Sequence, residues 1–187
     1  MPVSPNHPGF KMALQRRHGD MVRADGGSAA NEMIMLGGHT GTHIDALCHV
    51  SHCGKLHGGV DAYEAQKGGR FQSHGVEHIP ITATRGVLLD IPGLRGVDCL
   101  DAGEAITAGD LEAAALRQGI ECREGDVALV RSGWTKHWAD PEVFLGHARG
   151  VPGPDESAAA WMIERKIRMT GAETIAYEWI PPGRGHT

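Results

Sequence analysis

A chain of 187 residues, 41% hydrophobic and 22% charged, has the size and balance of a soluble globular protein that can bury its own core. A formal net charge of −5, with 18 lysines and arginines and no basic run longer than a pair, is the wrong sign for a nucleic-acid partner, whose binding begins with phosphate neutralisation. No apolar run approaches the roughly 20 residues of a membrane span, and "MPVSPNHPGFKM" lacks the basic start and apolar centre of an export signal.

The first thirty residues read as loop and turn, because Pro2, Pro5 and Pro8 forbid a regular helix there. In "NEMIMLGGH" the apolar run at 33–36 predicts a short strand ending in two glycines. The polar, glycine-rich segment 63–78 reads as a loop over a site. "RGVLLDIPG" predicts a strand covered on both faces, since its apolar residues are continuous rather than alternating. "ITAGDLEAAALRQG" predicts a helix. Thr107 caps it, Asp110 stands three residues later as in a capping box, and Gly119 ends it; Leu111, Ala115 and Leu116 are assigned to one face. "EGDVALVRSGW" reads as a turn at Gly125 and Asp126 followed by a buried strand at 127–130; Arg131, at the end of that apolar run, is expected to find an ion-pair partner. "GPDESAAAWMIERKIRMTG" predicts a second helix, opened by Pro154 and closed by Gly171, and "ETIAYEW" a further strand. Alternating strands and helices make an α/β fold.

Five of the twelve histidines, an aspartate and two cysteines fall within "GGHTGTHIDALCHVSHCGKLHGG", residues 37–59. His39 and His43 are four apart, which on a helix would put both on one face, as in zinc proteases. Thr40, Gly41 and Thr42 between them are poor helix formers. In a straight strand the pair would stand ~13 Å apart, too far to share an ion bound at ~2 Å. The backbone must therefore bend, and the glycines permit it. Asp45, two residues past His43, adds a carboxylate. Two imidazoles and a carboxylate suit zinc, manganese or iron(II). His52 and His57, among Ser51, Gly54 and Lys55, read as solvated or as part of a pocket rim. Cys48 and His49 are neighbours, but adjacent residues of extended chain point to opposite faces, so Cys48 reads as a small buried residue rather than a nucleophile. None of Cys48, Cys53, Cys99 and Cys122 forms a C-x-x-C pair, and free thiols in a reducing cytoplasm are expected.

"HTGTHIDALCH" resembles the H-x-G-T-H-x-D-x-P-x-H motif of the metal-dependent cyclase-like hydrolases, a group that includes bacterial kynurenine formamidase and isatin hydrolase. "RGVLLDI", "GDVALVRSGW" and "GAETIAYE" are similar to further family segments, so the resemblance covers nearly the whole chain. It implies a swivelling β/β/α fold in a single domain over residues 1–187, and a divalent metal, zinc or manganese. It also implies hydrolysis of a cyclic or N-formyl amide of a small molecule, and a homodimer or homotetramer. By position, His39, His43 and Asp45 look like the metal ligands and His49 like the catalytic acid/base; the Thr42 hydroxyl reads equally as orienting a ligand and as a backbone cap. Trp134, at the end of a predicted strand, reads equally as a residue that flanks the substrate and as a packed aromatic. Leu47 replaces the motif's proline, and Ser4 takes the pocket position where similar kynurenine formamidases carry a tryptophan. Family members extend further at both ends and supply a late histidine and a later glutamate as ligands. The chain thus reads as shortened at both termini, with His186, and next Glu178, as candidate replacement ligands. Two other classes share this pattern: an iron(II) oxygenase with a His/His/Asp triad, and a degenerate, non-catalytic member that binds a ligand or partner.

Overall fold

The computed structural model of the chain describes residue 2 and residues 7–80 and 82–184. It consists of two compact units, one of residues 5–82 and one built on residues 83–187.

In the first unit, β1 (Lys11–Arg16) pairs antiparallel with β2 (Asn31–Met35), Met12 opposite Ile34 and Leu14 opposite Glu32. β2 answers the strand expected near 33–36. β1 corrects the expectation of loop: "KMALQR" has little intrinsic strand preference, and its extended form comes from pairing with β2. Both strands are exposed along their whole length. Residues 36–51 are neither helix nor strand. The segment 63–78 is mostly loop and single turns, apart from α1 (Ala62–Ala65), which the Asp61 carboxylate caps by accepting from the Tyr63 and Glu64 N–H groups. Among the described residues of this unit, Leu56 and Ala65 are the buried hydrophobic side chains.

The second unit runs β3 (Gly86–Asp90), α2 (Ile91–Arg95), β4 (Ala105–Ile106), α3 (Ala108–Gln118), β5 (Val127–Arg131), α4 (Pro141–Leu145), β6 (Gly153–Pro154), α5 (Glu156–Glu164) and β7 (Met169–Ala172). β3, β5 and β7 form a parallel sheet in that order, and β4 pairs with β6. Val87, Leu89, Ala128 and Val130 pack with Leu111 of α3 and Trp161 of α5 into one core cluster. The expected cover on both sheet faces is corrected: the alternate residues Leu88 and Leu129 are 49% and 43% exposed. At the strand ends, Arg131 donates to Asp90 at 2.6 Å, the ion pair expected for an arginine in an apolar strand.

α3 carries the full capping box, Thr107 accepting from the Asp110 N–H while Asp110 accepts from the Thr107 N–H, and Gly119 ends it in the left-handed region at φ 65°. Its buried residues are Leu111, Ala114 and Ala115, whereas Leu116 is 81% exposed. Five residues at ~100° each carry Leu116 about 140° away from Leu111, off the buried face. The Asp155 side chain caps α5, which stops at Glu164 instead of reaching Gly171; Lys166 then turns the chain at φ 53°. The last strand is therefore residues 169–172, and "ETIAYEW" is irregular. Pairing decides this: Gly171 lies beside Leu129 of β5, where a Cβ on it would stand 3.3 Å from Leu129 Cδ2.

Asp126, buried at the start of β5, accepts from Arg85 Nε and Nη2 and from the Arg123 N–H. The Arg85 hydrogen bonds, then that N–H, hold its carboxyl down at about 2. Among the described residues, no helix is long and apolar enough to cross a membrane.

Candidate metal centre

β2 delivers the chain to Gly37 and Gly38, and the bend foreseen between the two histidines follows. Gly41 adopts φ 68°, a left-handed conformation that glycine takes without steric cost. This folds His43 back toward His39. His39 Nδ1 then stands 3.2 Å from His43 Nε2 and 2.7 Å from Asp45 Oδ1, and His43 Nε2 stands 3.3 Å from Asp45 Oδ1. One donor atom from each residue thus converges on a common point, and this trio is the group among the described residues able to hold a metal ion.

A divalent ion with bonds of about 2.0–2.2 Å keeps adjacent donors about 2.9–3.5 Å apart in tetrahedral or octahedral geometry. The two contacts of His43 fall in that interval. The His39–Asp45 contact is closer, as a hydrogen-bonded pair is. The donor chemistry and two of the three spacings therefore fit a divalent ion, and the third pair has only to open by a few tenths of an ångström.

The protonation pattern of His43 follows from one contact. Its Nδ1 lies 2.7 Å from the Gly41 carbonyl oxygen. A carbonyl can only accept, so Nδ1 carries a proton and donates it there, which leaves Nε2 turned toward the other two donor atoms. The hydrogen bond that orients His43 is thus the one its Nδ1–H donates to the Gly41 carbonyl, the kind of outer support that a metal-binding histidine uses.

A turn brings His49 back to the cluster. The His49 N–H donates to the Ala46 carbonyl at 2.9 Å, and the Cys48 N–H donates to His74 O at 3.1 Å. The His49 ring comes to rest 4.0 Å from that of His39, centroid to centroid, tilted by 33°. Cys48 beside it is half-buried, and all four thiols are free.

Other candidates lie elsewhere. His52 and His57 sit on exposed turns, His52 pairing its backbone with Lys55. Trp134 is buried at 2% exposure against Phe144 and Val151, and its indole N–H donates to the Phe144 carbonyl at 3.0 Å. Glu178 follows β7 on an irregular, exposed segment. Ser4 and His186 lie outside the described residues. His7, which carried no motif signal, places its ring 5.2 Å from His39.

The sequence profile of the Cyclase family matches residues 1–179. The chain belongs to the Cyclase family. No curated protein matches it. Among solved structures, this cyclase is similar to one described as a novel cyclase, at 26% identity and a TM-score of 0.84, over 96% of this chain and 64% of that one. It is also similar to isatin hydrolase A from Ralstonia solanacearum, at 24% identity and a TM-score of 0.66, over 93% of this chain and 60% of that one. Isatin hydrolase A from Labrenzia aggregata, bound to benzyl benzoate, matches at 23% identity and a TM-score of 0.64, over 96% of this chain and 64% of that one. The mixed α/β fold is thus the one expected of cyclase-like hydrolases, and the chain spans somewhat less than two-thirds of these relatives' length.

Proposed function

We propose that this cyclase hydrolyses an amide bond, cyclic or N-formyl, of a small molecule. The observation that carries the reading is the convergence of His39 Nδ1, His43 Nε2 and Asp45 Oδ1, with His43 locked by the Gly41 carbonyl so that its Nε2 faces inward. Membership of the Cyclase family and the fold shared with isatin hydrolases support the hydrolytic class. His39, His43 and Asp45 would hold a zinc or manganese ion, which when bound would supply the charge that polarises the amide carbonyl and acidifies a water. His49 is the proton carrier in this reading: exposed, and packed on His39 without belonging to the converging trio. One of its ring nitrogens takes the proton of the attacking water and returns it to the leaving nitrogen as the C–O bond forms and the C–N bond breaks.

The test is turnover of a panel of cyclic and N-formyl amides under strict anaerobiosis with zinc or manganese added. Hydrolysis without oxygen is expected. His49→Ala is expected to take up its full equivalent of metal at saturating zinc or manganese and to lose turnover. Turnover that requires oxygen would assign the site to an iron(II) oxygenase, and metal bound without any turnover would assign the chain to a ligand-binding role. Equal loss of metal in His49→Ala and His43→Ala would make His49 a ligand instead.

The same proposal takes the protein to be a cytoplasmic homodimer or homotetramer. The free thiols support a reducing compartment. Phe10, Met12, Leu14, Ile34 and Leu36, each 45–58% exposed on or beside the β1–β2 hairpin, support burial against a second copy. Light scattering on the purified protein reads the assembly directly, and a monomer at micromolar concentration would overturn it.

A further inference from the structure

We propose that His7 is a positioning residue of the metal centre: its ring packs on His39 and fixes the angle at which that imidazole presents Nδ1 to the ion. The proposal rests on the reading of His39, His43 and Asp45 as metal donors. The two histidines of that trio are held in different ways. His43 is oriented by the hydrogen bond from its own Nδ1 to the Gly41 carbonyl. His39 makes its polar contacts, to Asp45 and to His43, through Nδ1, the atom it offers to the ion. Among the described residues, its Nε2 has no hydrogen-bond partner of the kind that usually fixes a ligating ring. Ring packing is what remains to orient it. Three imidazoles lie against His39: His49 at 4.0 Å and 33°, His43 at 5.1 Å and 82°, and His7 at 5.2 Å and 47° between centroids and ring planes. The His43 contact is edge-on, and those of His49 and His7 are tilted; the His43 and His7 separations lie in the range that paired aromatic rings favour.

The position of His7 is itself set by its neighbours. Pro8 fixes the following φ and confines His7 to extended backbone. The pair closes on Gly37, which is buried. A Cβ on Gly37 would stand 3.2 Å from His7 Cβ and 3.5 Å from both His7 Nδ1 and Pro8 Cδ. The absence of a side chain at 37 therefore lets the His7–Pro8 corner sit down beside the strand exit that carries His39 two residues later. His7 is not part of the converging donor trio, so its contribution goes through His39 and not through a bond of its own.

The experiment compares wild type, His7→Ala and His7→Phe, using cobalt(II) as the probe ion. Affinity is read by equilibrium dialysis, ligand geometry by the visible d–d absorption of the bound cobalt, and the His39 ring environment by imidazole NMR of the metal-free protein. His7→Ala is expected to weaken cobalt binding about 10- to 100-fold, to alter the d–d bands and to move the His39 ring signals. His7→Phe keeps the ring and removes the nitrogens; it is expected to restore affinity to within about threefold and to bring back the wild-type spectrum. If His7→Phe behaves like His7→Ala, the nitrogen matters and the packing role is wrong. If His7→Ala matches wild type in dialysis, absorption and NMR, His7 is idle and the proposal falls. A wild-type chain that binds no cobalt refutes the metal-centre reading, and the positioning role with it. The NMR of the metal-free variants then still shows separately whether His7 packs on His39.

Discussion

Residues 83–187 hold a parallel sheet, two side-chain-capped helices of nine or more residues and a core in which Leu89, Ile106 and Leu111 are 0% exposed; among the described residues of 5–82, the buried hydrophobic side chains are Leu56 and Ala65. The candidate chemistry lies entirely in residues 5–82. A region with little apolar burial must take its order from turns, from hydrogen bonds such as His43 to Gly41, and from whatever ion joins its donors. There, metal binding is expected to stabilise a local fold that those turns and hydrogen bonds already shape. The cored region can instead be stable without metal, because burial offsets its chain entropy.

The comparison breaks most visibly at the core. Leu89→Ala is expected to cost about 2–5 kcal/mol in urea unfolding. Val50→Ala, at a position 71% exposed beside the candidate site, is expected to stay within about 0.5 kcal/mol of wild type. A smaller effect separates binding from folding: Gly41→Ala has space for its Cβ but not the backbone freedom for φ 68°. It is expected to lower metal affinity about 10- to 100-fold in dialysis while the unfolding of the cored unit is unchanged. Thr107→Ala removes the α3 cap and is expected to cost about 0.5–2 kcal/mol by the same urea measurement, with metal affinity untouched.

Acid probes the cored region through Asp126. Its folded carboxyl titrates at about 2 against an ordinary 3.8, so its stabilising effect is present above about 4 and is lost as the pH falls towards 2. Circular dichroism melting of wild type is expected to decline through that window, and Asp126→Asn, less stable at pH 7, is expected to decline less. The smallest change is Leu116→Gln, expected within about 0.5 kcal/mol because that side chain is 81% exposed; a large loss would mean that the exposed face of α3 is covered in solution.

What was legible in the sequence was what a contiguous stretch determines. The Thr107–Asp110 capping box, the Gly119 stop and the strands around Leu89 and Val130 depend on neighbours in the chain, and they appear as expected. β1 did not, because "KMALQR" becomes a strand through its partner and not through its own preferences. The α5–β7 boundary was misplaced for the same reason: parallel pairing with β5 takes residues 169–172 out of an otherwise helical pattern. At the site, the motif spacing pointed to His39, His43 and Asp45, and a bend at Gly41 could be argued from chain geometry alone. The carbonyl that fixes the His43 proton could not, since it depends on where the bend turns that oxygen. His7 left no local signal, because its contact with His39 is made across the hairpin's length of chain. Trp134 read as pocket or core alike, and its burial against Phe144 and Val151 is a tertiary fact.

The central claim is that the exposed region, and not the core, holds a metal through three converging donors. Metal content after dialysis against zinc or manganese tests it most directly, measured on wild type and Asp45→Asn alongside their metal-free unfolding curves. The account predicts about one tightly held equivalent in wild type, its loss in Asp45→Asn, and superimposable metal-free curves. A wild-type chain holding less than about a tenth of an equivalent, or an Asp45→Asn variant that retains the wild-type amount, would contradict it.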